Sequence, residues 1–367
     1  MAAEKLKSEL EKQNGRNSVK ILNSLKISLS VIGAVVGAGF ITGREILTFF
    51  SKFNPVFVAT TLFLCFFALI NFSLKARGEK IERAIKTGNA AIYVISIFII
   101  ASMLGATDSL FFSVFKLPVS VPLGSLLLIC ASTAVCFGGI SKIEKANVFI
   151  VPAMLLIAGY LTLSKIFSPS YLVPPYFSEI LSGGFFSFAG IYRCISYSSM
   201  NALLSQPFFC KIKTENKNFS PALVAAVSAF CLSVLVFIYL LALKGSVYEG
   251  ADIPALGLAG GAVLKYLAAF AVLGGIITTQ FSTEYPLVCL LKKRKKSGLL
   301  IVLLALVSFV LSRLGFYVIV DVIYPVIALT AAVYYIILIS IKRFSFRLSP
   351  RRHTSARQAR LKLRSKS

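Results

Sequence analysis

The chain has 367 residues, of which 57% are apolar and 14% are charged, and its mean hydropathy is +0.83. Soluble domains are roughly 45–50% apolar and about 25% charged, so this composition excludes an ordinary soluble enzyme, a disordered protein and a secreted disulfide scaffold. The formal net charge of +25 must lie outside the hydrocarbon of a bilayer. The composition therefore predicts an all-α polytopic membrane protein, since a helical span needs about 20 residues.

The cysteines and the single histidine give no sign of a metal or redox site. The seven cysteines lie mostly in apolar runs without a CxxC pair, and His353 lies in a basic tail. Cysteines in such surroundings are typical of small core side chains. Because the sequence contains no recognisable nucleophile–base pair or phosphate-binding loop, it indicates neither an enzyme nor a bound cofactor.

Ten apolar runs follow a polar leader over residues 1–25, which lacks a signal-peptide pattern. They predict one ten-span domain over residues 26–341, followed by a basic tail over residues 342–367. The predicted spans are 27–50, 56–75, 90–115, 120–140, 146–165, 183–206, 221–243, 261–287, 298–314 and 316–341.

The charges in the loops predict the orientation of these spans. If the leader lies inside, the inner segments hold 31 of the 39 basic residues and the outer segments hold five, as the positive-inside rule predicts. We therefore expect a multi-pass protein of the cell membrane with both termini in the cytoplasm. The tail has two interpretations, binding to anionic lipids and binding to RNA. We favour the lipids, so no nucleic acid is expected as a partner.

The first span contains a glycine-rich segment within VIGAVVGAGFITGREILTFF. Small residues four apart, such as Gly33 and Gly37, are typical of close helix packing. The Gly37-Ala38-Gly39 segment is different, because its two glycines lie on different faces near mid-membrane, where glycine weakens a helix. Unwound backbone at this depth is tolerated only where it lines a cavity. The sequence therefore predicts a broken helix here.

The sixth span carries a polar run at the corresponding place. Residues 196–201 read Ser-Tyr-Ser-Ser-Met-Asn, which places five hydrogen-bonding side chains near the middle of the membrane. Serines alone could bond to their own helix, but this number exceeds what packing requires. We predict a second broken helix at this run.

The two interrupted spans begin two five-span halves, residues 26–165 and 183–341. Since five is odd, the second half is inverted in the membrane. Interrupted segments at corresponding positions of two halves are the best sequence indication of a binding site in a transporter. The sequence thus predicts a 5+5 inverted repeat with its site between spans one and six.

These features carry a family resemblance. The run GAVVGAGFITGREILTFF, the Ser-Tyr-Ser-Ser-Met-Asn run and the ten-span count resemble the YkvI-type amino acid permeases of the amino acid–polyamine–organocation superfamily, which share the LeuT-type fold. The resemblance covers residues 25–341 and implies a secondary transporter for an amino acid or similar small amine, a symporter coupled to Na⁺ or H⁺. The chain departs from the pattern at Arg44, where a neutral polar residue is expected before Glu45, and at Arg193, a cation close to the predicted break in span six.

The broken spans and the family resemblance together predict two sets of site residues, one for the substrate and one for an ion. Half-helix N-termini suit a carboxylate, and unwound carbonyls suit a cation. The predicted substrate-binding residues are Gly37, Ala38, Gly39, Tyr197, Ser198, Ser199 and Asn201. In the LeuT-type fold, hydroxyls of span eight bind sodium together with carbonyls of span one, and oxygen ligands suit such a hard cation. By that resemblance, the predicted ion-binding residues are Val36, Thr278, Thr279 and Ser282. The alternatives are close packing and hydroxyls bonded to their own helix.

Charged residues within spans are costly and usually functional. Two cations and three carboxylates are predicted in the outer half of the membrane, where they would form an ion-paired network at an external gate. They are Arg44, Glu45, Asp108, Arg193 and Asp321. Arg193 with Asp108 is the first pair to test. The alternatives are a static ion pair and a coupled proton carried by Glu45 or Asp108. Glu284 and Lys265 are predicted to lie near the interfaces and to snorkel.

Prolines in spans five and ten, Pro152 and Pro325, occupy corresponding positions and are predicted to kink their helices. Three functions remain open at this stage. The first, which we favour, is a carrier that works by alternating access. The others are a non-transporting amino acid sensor or receptor on the same scaffold and a channel-like pore.

Overall fold

A computed structural model describes residues 2–76, 79–118, 121–137, 140–167, 186–215, 218–244 and 250–348. Within these ranges every regular element is helical. The helices are α1 (Ala2–Val35), α2 (Ala38–Ile41), α3 (Arg44–Phe50), α4 (Pro55–Lys75), α5 (Glu79–Phe115), α6 (Leu123–Phe137), α7 (Ile140–Ile166), α8 (Phe188–Leu204), α9 (Gln206–Glu215), α10 (Pro221–Leu243), a 3₁₀-helix (Pro254–Leu258), α11 (Ala262–Lys292), α12 (Ser297–Ser312), α13 (Phe316–Val318), a π-helix (Ile319–Ile323) and α14 (Tyr324–Leu348).

The lengths and hydropathy of these helices support a multi-pass membrane protein. Among the described residues, six helical segments are long and apolar enough to cross a membrane, and three shorter helices are also apolar. The six are Asn17–Val35, Pro55–Lys75, Ile92–Phe115, Pro221–Leu243, Ala262–Lys292 and Phe316–Arg343. The count of ten spans and the 5+5 repeat stay predictions. Residues 349–367 of the basic tail lie outside the described residues.

Several helices begin where the sequence supplies a cap. Asn54 precedes α4, and its Oδ1 accepts hydrogen bonds from the backbone N–H groups of Val56 at 2.9 Å and Phe57 at 3.3 Å. Ser220 precedes α10 in the same way. Each cap is followed by a proline at the first helical position, where its missing N–H costs nothing.

The described helices pack around one large apolar core, with two smaller apolar clusters beside it. Helix α4 lies against α10, while α8 lies between α4 and α14, and α11 lies against α5 and α7. The outward faces carry large exposed apolar side chains, including Leu156, Val263 and Ile336. A helix that is apolar on both its inner and outer faces is typical of a membrane span.

The first span is broken twice. Helix α1 ends at Val35, Val36 and Gly37 are not helical, and α2 lasts only four residues. Thr42 and Gly43 then separate α2 from α3, and Gly43 has a φ of +78°, which favours glycine. The predicted interruption of this span is therefore present, although Ala38 and Gly39 belong to the short helix.

The carbonyl groups freed by these breaks find partners within the protein. Ile41 O accepts a hydrogen bond from Tyr239 Oη at 3.2 Å, and Thr42 O accepts one from Ala255 N at 2.9 Å. Gly39 O accepts a bond of 2.9 Å from Thr42 Oγ1. Buried irregular backbone must be satisfied in this way at membrane depth, so α10 and the 3₁₀-helix hold the broken span in place.

The predicted break in the sixth span is wrong in its position. Helix α8 runs without interruption through residues 196–201, and the chain leaves the helix only at Ser205. The physical reason is visible at Asn201, whose Nδ2 donates to Tyr197 O one turn earlier at 3.0 Å. Polar side chains can thus bond to the helix that carries them and leave it intact.

The last span contains an irregularity that the sequence did not predict. Residues Ile319–Ile323 form a π-helix with Asp321 at its centre. Pro325 follows two residues later and has no N–H to donate to the preceding turn. Single π-turns within a helix are frequent at functional sites. Pro152, the other predicted kink, lies inside α7.

Candidate substrate and ion site

The Glu45 carboxyl lies at the centre of the candidate site. Glu45 lies in the first turn of α3 and is buried, and its Oε2 lies against Gly39, so that a Cβ on Gly39 would overlap the carboxyl. The Tyr197 hydroxyl and the Asn201 side chain of α8 also face this carboxyl. The fold therefore brings together three of the predicted substrate-binding residues and one of the predicted gate residues.

Aromatic rings enclose Tyr197 on its other sides. The ring centroids of Phe49, Phe50 and Phe66 lie 5.2, 5.1 and 6.1 Å from that of Tyr197. Such tilted and edge-to-face contacts fix a ring firmly. Tyr197 Oη makes no hydrogen bond of normal geometry within the described part of the chain. A rigidly held phenol therefore lies beside a buried carboxyl and interacts with it.

Three serine hydroxyls in α8 and at the residue that follows it are buried without a hydrogen-bond partner among the described residues. They belong to Ser196, Ser198 and Ser205. At 100° of rotation per residue, Tyr197, Ser198 and Asn201 share an arc of about 100° on one side of the helix. An unsatisfied buried polar group costs about 1–3 kcal/mol. This face of α8 therefore has the donors and acceptors that a polar ligand requires.

Ser199 does not join this face. It follows Tyr197 by two residues and so lies roughly 200° around the helix from it, and it is buried. The three predicted substrate-binding residues of the first span lie in different surroundings. Gly39 contacts Glu45, Gly37 contacts α11, and Ala38 begins α2 between them.

The structure also brings the broken first span to the predicted ion-binding residues of α11. A Cβ on Gly37 would lie 2.5 Å from Thr279 Oγ1, and the adjacent Val36 is fully buried. Thr278 Oγ1 donates to Gly275 O at 3.1 Å, and a hydroxyl engaged in this way can still offer its lone pairs to a cation. Ser282 is exposed and donates to Thr278 O at 2.7 Å, so it lies away from the Gly37 contact.

Arg44 and Asp321 form an ion pair that joins the first span to the last. Arg44 Nε donates to Asp321 Oδ1 at 3.1 Å, and Nη2 donates to Oδ2. The same carboxylate accepts a hydrogen bond from Thr48 Oγ1, and the Arg44 guanidinium lies 3.7 Å from the Tyr317 ring centroid. A bidentate pair with a stacked ring is among the stronger ionic contacts in proteins.

The predicted pair of Arg193 with Asp108 is wrong. Asp108 instead accepts hydrogen bonds from Arg313 Nη2 and from Ser125 N, the latter at 2.8 Å. The Arg193 guanidinium lies over the Phe49 ring, 5.8 Å from its centroid. The reason is the arrangement of helices, because α5 packs against α6 and α12, whereas α8 packs against α4 and α14. The sequence indicated no role for Arg313, which was counted with the outer basic residues at the end of the predicted ninth span.

The prediction that Glu284 snorkels to an interface is also wrong. Its side chain is 2% exposed and lies between α11 and α6, where Ser132 and Thr133 donate to it. Hydrogen bonds from a neighbouring helix allow this carboxyl to be buried inside the protein. Gln280 lies one turn before Glu284 and shares its helix face, because residues four apart do so. This second polar residue was the sequence signal that the face contacts another helix. Lys265, the other predicted snorkelling residue, is half-buried near the start of α11.

The fold and this site define a multi-pass α-helical membrane protein with a buried polar site at a broken span. No model of a known protein family matches the chain. The chain is 27% identical over 209 residues to the uncharacterized membrane protein YkvI of Bacillus subtilis (strain 168), and the match covers 52% of this chain and 57% of that protein. The chain thus spans little more than half the length of this relative.

Matches among solved structures include those of a manganese transporter from Eremococcus coleocola. A mutant of that transporter aligns with a TM-score of 0.44, and its complex with an aromatic bis-isothiourea substituted compound aligns with a TM-score of 0.43. In both cases the identity is 15%, and the match covers 88% of this chain and 72% of the other.

Proposed function

We propose that the protein is a secondary active transporter that moves an amino acid or a similar small amine across the cell membrane by alternating access. The observation that carries the proposal is the meeting of a buried carboxyl, Glu45, with the polar side chains of Tyr197 and Asn201 on α8 at a twice-broken first span. Buried polar groups beside irregular backbone are typical of substrate sites in transporters.

The chemistry of the site suits the two ends of an amino acid. The Glu45 carboxylate would bind the ammonium group, and the backbone of residues 37–39 would bind the carboxylate group. Tyr197 and Ser198 would complete the polar contacts, and the rings of Phe49 and Phe50 would face apolar atoms of the substrate. A ligand cation stabilises a buried carboxylate whose hydrogen-bond partners in the described part of the chain, Tyr197 and Asn201, are neutral.

Coupling would use the cluster around Gly37. A Na⁺ ion would take the Val36 carbonyl with the hydroxyls of Thr278 and Thr279, which are the oxygen ligands that such an ion prefers. Alternatively, a proton on Glu45 would replace the ion. Access from outside would require the Arg44–Asp321 pair to part, since it ties the first span to the last. No cofactor other than the coupling ion is proposed.

Counterflow in proteoliposomes tests this function. Vesicles that hold the purified protein are loaded with unlabelled substrate, and uptake of labelled amino acids and simple amines is followed with and without Na⁺. A carrier exchanges label, a sensor binds without flux, and a channel shows flux that exchange does not stimulate. A lack of binding and flux across all twenty amino acids and simple amines, or a flux of Mn²⁺ alone, would contradict the proposal.

A further inference from the structure

The connection between α11 and α12 carries the longest run of basic residues in the chain. Residues 292–296 read Lys-Lys-Arg-Lys-Lys, and no Asp or Glu occurs between Glu284 and Asp321. Helix α11 ends at Lys292 and α12 begins at Ser297, so this hairpin concentrates positive charge in a very short segment. The sequence supplies no acidic residue near it that could balance the charge.

The cations that follow Lys292 are available to a partner. All four side chains are exposed, and within the part of the chain that the structure describes none of them forms an ion pair or a hydrogen bond. The four are Lys293, Arg294, Lys295 and Lys296. The backbone of Lys296 is left-handed, with a φ of +63°, and closes the turn before α12. Because like charges repel at this spacing, an anionic partner would stabilise the hairpin.

An apolar stripe on α12 leads away from the hairpin. Exposed apolar side chains recur there at intervals of three and four residues, and they are Leu299, Val302, Leu303, Leu306 and Val310. The opposite face carries the buried residues Ile301, Ser308 and Ser312. The stripe begins about 4.5 Å along the axis from Lys296 and continues for about 16 Å. One leaflet contributes about half of a hydrocarbon core of roughly 30 Å, so the stripe is long enough to lie against an acyl chain over the depth of a leaflet.

We propose that this hairpin is a binding site for an anionic phospholipid. The lipid phosphate lies among the cations of residues 293–296, since Lys and Arg bind phosphate oxygens through charged hydrogen bonds, and an acyl chain lies along the apolar stripe of α12. The loop charges predict that the hairpin is cytoplasmic, and the cytoplasmic leaflet is the one that carries anionic lipids.

The joint arrangement favours a lipid over other anions. A free phosphate ion would use the cations alone, and an acidic protein segment would leave the apolar stripe of α12 uncovered. A phospholipid uses both features, because its charge and its apolar chains are joined in one molecule. The site lies on a different segment from the basic tail, and it does not depend on which substrate the protein carries or on whether it carries one.

Photochemical cross-linking of the full-length protein in liposomes tests the site. The probe is phosphatidylglycerol with a photoreactive group in its acyl chain, and mass spectrometry measures the labelling of residues 299–310. Neutralising the hairpin with Lys293→Gln, Arg294→Gln, Lys295→Gln and Lys296→Gln is expected to lower this labelling at least about tenfold, because each basic residue adds attraction to an anionic lipid. Photoreactive phosphatidylcholine should label the same residues weakly and equally in the wild type and this variant.

The matched control removes the same charge from the tail with Arg351→Gln, Arg352→Gln, Arg357→Gln and Arg360→Gln. It is expected to label residues 299–310 as the wild type does. Wild-type labelling of these residues in the hairpin variant, or an equal loss in the hairpin and tail variants, would overturn the proposal.

Competition in the wild type tests the site without any variant and distinguishes the possible partners. Unlabelled phosphatidylglycerol is expected to displace the label from residues 299–310, whereas inorganic phosphate, glycerol phosphate and polyglutamate are expected to leave it in place. Displacement by phosphate or glycerol phosphate at the same concentration would show a site for the free anion. Displacement by polyglutamate would show a site for an acidic protein, and either result would overturn the lipid assignment.

Discussion

The Glu45 carboxyl fills the space that a side chain on residue 39 would need. The glycine is therefore required for the carboxyl to reach the face of α8. This contact connects the irregular backbone of the first span to the unpaired hydroxyls of the sixth. It is the residue-level feature on which the candidate substrate site depends.

Gly39→Ala is expected to displace the Glu45 carboxyl and to lower substrate affinity at least tenfold, which corresponds to about 1.4 kcal/mol. Equilibrium binding of the best substrate measures the change. Gly159→Ala in α7 is the matched control, since no atom lies within 4 Å of a Cβ there, and it should bind as the wild type does. Equal affinity in both variants would show that Glu45 does not need this space.

Thr279→Val is expected to abolish Na⁺ dependence if Na⁺ is the coupling ion, because it removes the hydroxyl that lies against Gly37. Thr283→Val is the control, since the Thr283 hydroxyl is one turn away and bonds to Thr279 O at 2.7 Å. Uptake measured over a range of Na⁺ concentrations distinguishes the two variants. Unchanged Na⁺ activation in Thr279→Val would eliminate this ion site.

At the scale of elements, the ion pair between Arg44 and Asp321 joins α3 to the π-helix. The pair lies where both helices are irregular, at the left-handed Gly43 and at the π-turn. Irregular segments have fewer internal hydrogen bonds to hold them, so side-chain contacts contribute more to their position. We interpret the pair as the contact that keeps these two spans together on the side that the loop charges predict to be outside.

A double-mutant cycle tests this contact. Arg44→Met alone leaves Asp321 without its partner and is expected to destabilise the protein by about 3 kcal/mol, and the double variant with Asp321→Asn should cost less than the sum of the single changes. Arg193→Met is the control, because Arg193 contacts an aromatic ring, and its effect should add to that of Asp321→Asn. Thermal unfolding in detergent supplies the free energies. Additive effects of Arg44→Met and Asp321→Asn would show that the pair contributes no coupling.

At the scale of the whole molecule, the basic residues predict the orientation of the chain. Lys116 lies between α5 and α6, and Lys295 lies between α11 and α12, and both are exposed. In a cysteine-free background, Lys116→Cys is expected to react with an impermeant maleimide in intact cells, while Lys295→Cys should react only after permeabilisation. The reverse labelling pattern would invert the proposed topology.

Sequence reasoning reached the break in the first span because glycine weakens a helix at a definable position. It misplaced the break in the sixth span because Asn201 bonds to its own helix, an outcome that residue type alone does not determine. Counting residues along a span gives depth in the membrane but not the neighbouring helix. For this reason Asp108 was paired with Arg193 instead of Arg313, and Glu284 was assigned to an interface instead of the contact with α6.

The most direct test of the central claim is counterflow of labelled substrate by wild-type protein and by Glu45→Gln in matched proteoliposomes, with Gly159→Ala as the control. We predict exchange of an amino acid or small amine by the wild type and the control, and a loss of at least tenfold in Glu45→Gln, since the amide cannot neutralise an ammonium group. Exchange by Glu45→Gln at the wild-type rate and affinity would contradict a substrate site built around Glu45.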